Sequence, residues 1–369
     1  MAEFEQPFPS SPAGAPAPLR GGRRGTLINP PNRFEKIEVV RDPDADLGPE
    51  FGDEISPRTT FYDDASESLL TENDSPDVGF SVGLNVYRGC EHGCAYCYAR
   101  PYHEYLGWSS GLDFESRILV KKRAPVLLRE EFSAKRWVPQ PVAMSGVTDC
   151  YQPAERHFKL TRQCLEVFVE FRNPLAIITK NFLVTRDVAL LAELARWDCV
   201  SVNLTLTTLD AELAGSLEPR AARPEHRLRA IRLLTEAGVP VSVMIAPVIP
   251  GLTDHEIPAL LAAAAEAGAR RANYVVLRLP WAVKSIFTNW LEVHAPTKKD
   301  RVLARIRDLR GGVLNVSEWG QRMKGEGIFA EHIRDLFNTS ARRVGLNRHP
   351  VTLSTAHFRH PGGQQLSFF

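Results

Sequence analysis

Three cysteines crowd into eight residues of one stretch, YRGCEHGCAYCYARPYHEYL over 87–106, where Cys90, Cys94 and Cys97 stand in a C-x3-C-x2-C spacing. Thiolates at this spacing suit the irons of a cubane cluster, and Gly89 and Gly93 let the backbone approach it closely. Three ligands leave one iron open. The amino and carboxylate groups of a small molecule can chelate that iron, which brings the molecule's sulfonium within electron-transfer reach and lets a cofactor carry the hard chemistry. The alternative is a zinc site completed by Cys150 or His92. Structural zinc usually joins two paired knuckles, and this sequence has no second pair, so the cluster is favoured.

Such a loop needs a scaffold. From about residue 81, short β-branched runs alternate with amphipathic helical stretches. The strands expected are SVGLNVY, PVAMSGV, PLAIITK, CVSVNLTL, PVSVMIAPVI and ANYVVLRL. Between them lie KLTRQCLEVFVEF, LVTRDVALLAELARW, PEHRLRAIRLLTEAG and DHEIPALLAAAAEAG, the last two closed by Gly238 and Gly268. Six β-then-α units imply an α/β fold with a parallel sheet, a partial (β/α)6 barrel, with its chemistry at the carboxyl ends of the strands. Residues 1–75 read as a mobile tail, 76–295 as the barrel, 296–360 as a helical and irregular extension, and 361–369 as a flexible end.

The strand ends carry further candidates. SGVTDCYQPAE supplies Ser145, Gly146, Thr148 and Asp149, suited to an amino acid's ammonium and carboxylate, and Lys180 offers a positive charge to a carboxylate or ribose. Ordinary loop capping is the competing role for each. Ser201, Asn203 and Ala246 point to the same region by periodicity. Tyr98, Tyr102, His103, Tyr105, Trp281, Phe287 and Trp290 are expected to pack rather than to stack on a base. Cys164 and Cys199 read as core.

The cysteine spacing, with Tyr96 just before the third cysteine, resembles the radical S-adenosylmethionine (radical SAM) superfamily. The resemblance implies that Cys90, Cys94 and Cys97 ligate a [4Fe-4S] cluster, that Tyr96 lies beside the adenine, and that S-adenosylmethionine is cleaved to a 5′-deoxyadenosyl radical. TDCYQPAE, LTRQCLEVF, ITKNFLVTRDVALL, LEPRAARPEHRL, MIAPVIPGLTD and LRLPW narrow it to the spore photoproduct lyase-related branch, often labelled DNA repair photolyase-like. NDSPDVGFSVGLNVYRGCEHGCAYCYARPYHEYLG places it in a bacterial subgroup of largely unassigned substrate. The lyases imply S-adenosylmethionine contacts from Lys180, Thr148 and Asp149, and the branch implies a nucleic-acid substrate and an electron donor such as flavodoxin or ferredoxin. Their hydrogen-donor cysteine ahead of the threonine–aspartate pair is missing here, where Gly146 and Val147 stand instead. Cys150, just after the aspartate, is either a radical relay or a small core side chain.

Bulk properties add limits. The chain has 369 residues and a net charge of +1, so any polyanion site is local. No apolar run spans a bilayer and no secretory signal opens the chain, so a cytoplasmic protein without membrane association is expected. RGGRRG, with Arg20, Arg23 and Arg24, is a weak phosphate-binding signal. Arg342, Arg343, Arg348 and Arg359, in a segment without Asp or Glu, mark the best region for nucleic-acid contact. The ending QQLSFF resembles the peptide by which bacterial proteins dock on the replication sliding clamp, with Gln365, Leu366, Ser367, Phe368 and Phe369 in the motif positions.

Overall fold

A computed structural model describes residues 24–35 and 58–361. Its strands are β1 (Thr60–Asp63), β2 (Leu70–Glu72), β3 (Val82–Leu84), β4 (Tyr87–Arg88), β5 (Arg117–Val120), β6 (Val142–Met144), β7 (Leu175–Thr179), β8 (Val200–Leu206), β9 (Val241–Val248) and β10 (Arg271–Val276). The helices are α1 (Leu112–Ser116), α2 (Ala124–Ser133), α3 (Glu155–Phe158), α4 (Leu160–Phe171), α5 (Val188–Ala195), α6 (Ala211–Leu217), α7 (Pro224–Glu236), α8 (Ile257–Glu266), α9 (Val283–His294), α10 (Lys299–Asp308), α11 (Gln321–Lys324) and α12 (Ile328–Arg343).

The larger sheet runs β10-β9-β8-β7-β6-β3-β2. Its pairings from β3 to β10 are all parallel, and β2 lies antiparallel on the β3 edge. The six parallel strands stand in chain order with no switch point, which is how a partial barrel is laid down. Alternation explains their faces. Val200, Val202, Leu204 and Leu206 of β8 join the core with Ala230, Ile231 and Leu234 of α7, while Ser201, Asn203 and Thr205 occupy the other face. Gly238 and Gly268 follow α7 and α8 with left-handed backbones, φ 79° and 107°, and end those helices as expected.

The structure revises three expectations. SVGLNVY is two strands: β3 enters the large sheet, and β4 turns into a smaller sheet, β1-β5-β4, that carries the cysteine loop. Within 1–75, residues 24–35 and 58–75 are built into the fold rather than forming a tail: Thr26 and Asn32 are buried, and β1 and β2 lie here. The segment after α12 returns beneath the barrel, with Ser354 N–H donating to Asp198 O at 2.8 Å, Arg359 N–H to Phe171 O at 2.9 Å, and Phe358 packed on Phe171. Asp198 and Phe171 precede β8 and β7, so Arg359 lies at the end of the barrel opposite the cysteine loop. The basic carboxyl-terminal segment is therefore not the flank of the site. Gln365, Leu366, Ser367, Phe368 and Phe369 lie outside the described residues, as do Arg20 and Arg23. No helix among the described residues is long and apolar enough to cross a membrane.

Candidate active site

The cysteine loop leaves β4 through Gly89, and Cys90 N–H donates to Phe114 O at 2.9 Å, which ties the loop to α1. Gly89 and Gly93 adopt φ 81° and 68°, and a Cβ on Gly93 would meet Glu115 Oε2 at 2.5 Å, so only glycine fits there. Arg100, fully buried three residues after the last cysteine, clasps the loop from behind. It donates to Cys94 O (3.0 Å), Gly93 O (3.2 Å), Ser110 O (3.2 Å) and Gly111 O (2.9 Å), and pairs with Glu115 at 2.5 Å. The other oxygen of Glu115 accepts from Gly25 N–H at 2.9 Å, and Arg24 donates to Glu115 O at 2.6 Å. Residues 24–35 thus hold the loop's outer side, and Arg24 is spent on the protein.

The inner side of the loop is fastened across the carboxyl ends of the barrel strands. Gln152 bridges it, accepting from Glu91 N–H (2.9 Å) and donating to Gly89 O (3.1 Å). His92 meets Asn181 at 2.9 Å through Nε2 and Asp149 at 3.4 Å through Nδ1. Ala95 N–H donates to Leu217 O at 3.0 Å, and Glu91 pairs with Arg220 at 2.8 Å. Tyr96 hydroxyl bonds Glu218 and lies 3.2 Å from Thr207 Oγ1, while Glu218 forms a buried pair with Arg227. Burial and the Glu218 carboxylate push the Tyr96 phenol well up, so it acts as a neutral donor.

The three thiols have the character of a cluster site. All are free; Cys94 packs among Leu217, Ile249 and Leu252, Cys90 beside Ala99 and Phe114, and Cys97 touches both groups. Both ring nitrogens of His92 already have partners and Cys150 is buried in the core, so the two residues expected to complete a zinc tetrahedron are engaged elsewhere. Apolar-walled thiols on a glycine-rich loop fit a cluster. Burial, then Asp149 and the neighbouring thiols, raises the Cys90 thiol; burial and Glu218 push Cys94 up to about 12, with Lys180 opposing.

Of the residues expected from the sequence, the structure brings Tyr96, Asp149, Lys180 and Ala246 together around the loop. Thr207 donates to Ala246 O at 3.1 Å as well as meeting Tyr96. Lys180 lies with Nζ 5.9 Å from the Tyr96 ring centre, close enough to Cys94 and Glu218 to act on both electrostatically. Asp149 accepts from Tyr151 N–H, Thr179 Oγ1 and Lys180 N–H, each at 2.8 Å, besides His92. Burial alone would raise its carboxyl; His92 and these donors outweigh burial and lower it to about 2. Thr148 hydroxyl donates to Tyr87 O at 2.7 Å, and Ser145, with φ 74°, accepts from Cys150 N–H at 2.7 Å. Gly146 O accepts from Tyr98 hydroxyl at 2.5 Å. Ser201 pairs with Ala176 low on β8, roughly 20 Å along the strand from Thr207 at ~3.3 Å per residue, and does not line the mouth. Asn203 donates to Ile177 O at 3.2 Å. Cys150 is in the hydrophobic core, 1% exposed. Cys164 and Cys199 are buried, as are His103, Phe287 and Trp290, but Tyr98, Tyr102, Tyr105 and Trp281 are exposed rather than packed.

Arg100, Glu115, Glu218, Arg227, Gln152 and Asn181 were not singled out from the sequence. Most of their partners are far apart in the chain, and no local pattern in the sequence marks them.

A sequential parallel barrel with three free thiols on the loop after its first strand defines a class. The chain belongs to the radical SAM superfamily, which residues 84–264 match and whose cofactors are a [4Fe-4S] cluster and S-adenosylmethionine. Among individual proteins, it is 35% identical over 253 residues to an uncharacterized protein of Mycobacterium tuberculosis, spanning 68% of this chain and 73% of that one. It is 34% identical over 181 residues to an uncharacterized protein of Methanocaldococcus jannaschii, spanning 48% and 64%. Spore photoproduct lyase complexed with dinucleoside spore photoproduct shares the fold, with a TM-score of 0.53, 14% identity and coverage of 78% of this chain and 80% of that one.

Proposed function

We propose that Cys90, Cys94 and Cys97 ligate the cluster and that the chain is a radical enzyme acting on nucleic acid, in repair or base modification. The observation that carries the first part is the placement of three free thiols over the carboxyl ends of β6 to β9. When bound, the reduced cluster supplies the electron that splits S-adenosylmethionine into methionine and a 5′-deoxyadenosyl radical.

The chain's own residues orient the cofactor. Tyr96, fixed by Glu218 and Thr207, offers a ring for the adenine. Lys180, partly exposed above that ring, supplies a positive charge for the carboxylate of S-adenosylmethionine. Asp149 and Thr148 spend their hydrogen bonds on the protein and act as positioning residues, Asp149 by gripping the Lys180 amide and His92 together. The apolar walls around the thiols keep water from the radical.

The nucleic-acid part is supported by the fold shared with a lyase complexed with dinucleoside spore photoproduct, and by Arg278 at the carboxyl end of β10. That guanidinium lies 4.4 Å over the Tyr98 ring, one residue from Cys97, and among the described residues it makes no hydrogen bond or close ion pair. The scheme requires a low-potential electron donor, such as a flavodoxin or ferredoxin, and Gln365–Phe369 are proposed to recruit the chain to the sliding clamp. The test is release of 5′-deoxyadenosine by the reconstituted, reduced protein in the presence of single-stranded DNA, duplex DNA, RNA or a cell-metabolite extract. Stimulation by a nucleic acid is expected; stimulation by the metabolite extract alone would reassign the substrate.

A further inference from the structure

Beside the proposed active site runs a surface on which aromatic rings stand in the open. Tyr98 is 40% exposed, Tyr102 56%, Tyr105 66%, Phe34 55% and Trp281 57%. They form one strip. Tyr98 follows Cys97 directly and lies under Arg278, which also feels Tyr102; the rings of Tyr102 and Tyr105 are 6.5 Å apart, and those of Tyr105 and Phe34 5.0 Å. Arg33 locks the far end, its guanidinium 4.7 Å from the Phe34 ring centre, 5.3 Å from Tyr105 and 4.1 Å from Trp281. Glu104 holds Arg33 in place at 3.1 Å.

Two features show that the strip is maintained at a cost. Large rings left in water forgo the burial that makes aromatic side chains useful in a core, and a contiguous exposed patch marks a binding surface. Trp281 also adopts φ 44°, a left-handed backbone rare for a bulky residue; strain of this kind gathers at functional positions.

We infer that this strip is a stacking platform for the unpaired bases of a nucleic-acid strand that flank the nucleotide presented to the cluster. The inference deepens the nucleic-acid reading above and rests on it. Flat rings at successive positions accept the faces of any base, and the guanidinium of Arg278, without a hydrogen bond or close ion pair among the described residues, supplies the cation that a phosphate between them needs. Charge complementarity favours this occupant: Arg33, Arg278 and Arg322 stand at the strip or beside it, and two nearby carboxylates, Glu104 and Asp77, are each paired with one of these arginines. A paired duplex hides its base faces and would leave the rings uncovered.

The experiment uses the full chain, reconstituted anaerobically, with its cluster absorbance as the check on folding. Fluorescence anisotropy compares a labelled single-stranded oligonucleotide, its duplex, and an abasic strand of equal length and charge. The single strand is expected to bind most tightly. Tyr102→Ala, Tyr105→Ala and Trp281→Ala should each weaken it roughly 5- to 150-fold, the range for loss of one base–aromatic stack, while leaving the abasic strand unchanged. Arg278→Gln should weaken both strands alike and lower the salt slope by about 1. Unchanged single-strand binding in all three aromatic variants assigns the strip to another occupant and overturns the inference, leaving the nucleic-acid reading intact. Tighter binding of duplex than of single strand overturns it also. No binding of any oligonucleotide defeats both.

Discussion

Replacing Arg100 by Met removes the clasp behind the cysteine loop while keeping a side chain of similar length. The change strands the Glu115 carboxylate, which is fully buried, and takes the donor from four carbonyls, those of Gly93, Cys94, Ser110 and Gly111. Breaking a buried ion pair from one side costs roughly 3–5 kcal/mol, and each carbonyl left dry adds about 1 kcal/mol or more. Against a total stability of roughly 5–15 kcal/mol, a loss of this size opens the loop locally before it unfolds the barrel. Iron and sulfide per chain after anaerobic reconstitution should fall by more than half in Arg100→Met, with near-normal far-ultraviolet circular dichroism. Adding Glu115→Gln should recover part of the loss, because it removes the stranded charge and keeps an acceptor for Gly25 N–H. Arg100→Met with a full complement of iron, or a double variant worse than the single, would refute the reasoning.

Gly25→Ala would set a Cβ 1.4 Å from Gly93 O, so the 24–35 segment must lift off the loop, and limited proteolysis should cut within it far faster than in the parent. The Asp149 carboxyl, lowered from 3.8 to about 2, contributes stability that is present above pH 3.8 and is lost as pH falls through 2. Urea unfolding of the parent should therefore lose about 1 kcal/mol between pH 5 and pH 3 relative to Asp149→Asn, and parallel pH dependences would count against the lowered value. Lys180→Ala should raise the KM for S-adenosylmethionine with a smaller effect on kcat; an unchanged KM removes Lys180 from the cofactor site.

How much of this was legible follows from the range of each interaction. The six strands were readable because β-branched alternation and helix-stop glycines such as Gly238 are local signals, and the cysteine loop because its chemistry is written in eight residues. The small sheet was not, since β4 is two residues long and pairs with β5 some thirty residues on. Residues 24–35 have loop composition, and their fixity comes from Glu115 and Glu104, which sequence distance conceals. Thr148 and Asp149 were legible as polar residues at a strand's end, but not the protein groups they bond. Their side chains meet Tyr87 and His92, some sixty residues back in the chain, a pairing that local spacing does not encode. The aromatic run after Cys97 read as packing by periodicity, yet of its rings His103 is buried while Tyr98, Tyr102 and Tyr105 stay exposed.

The central claim, that Cys90, Cys94 and Cys97 hold a cluster that cleaves S-adenosylmethionine, is tested most directly by electron paramagnetic resonance of the anaerobically reconstituted, reduced protein, with 5′-deoxyadenosine quantified in the same sample. A [4Fe-4S]+ signal that changes on adding S-adenosylmethionine, with 5′-deoxyadenosine released by the parent and by none of the three Cys→Ala variants, is the predicted result. Stoichiometric zinc with no iron signal, or nucleoside release that survives loss of any of the three cysteines, would contradict it.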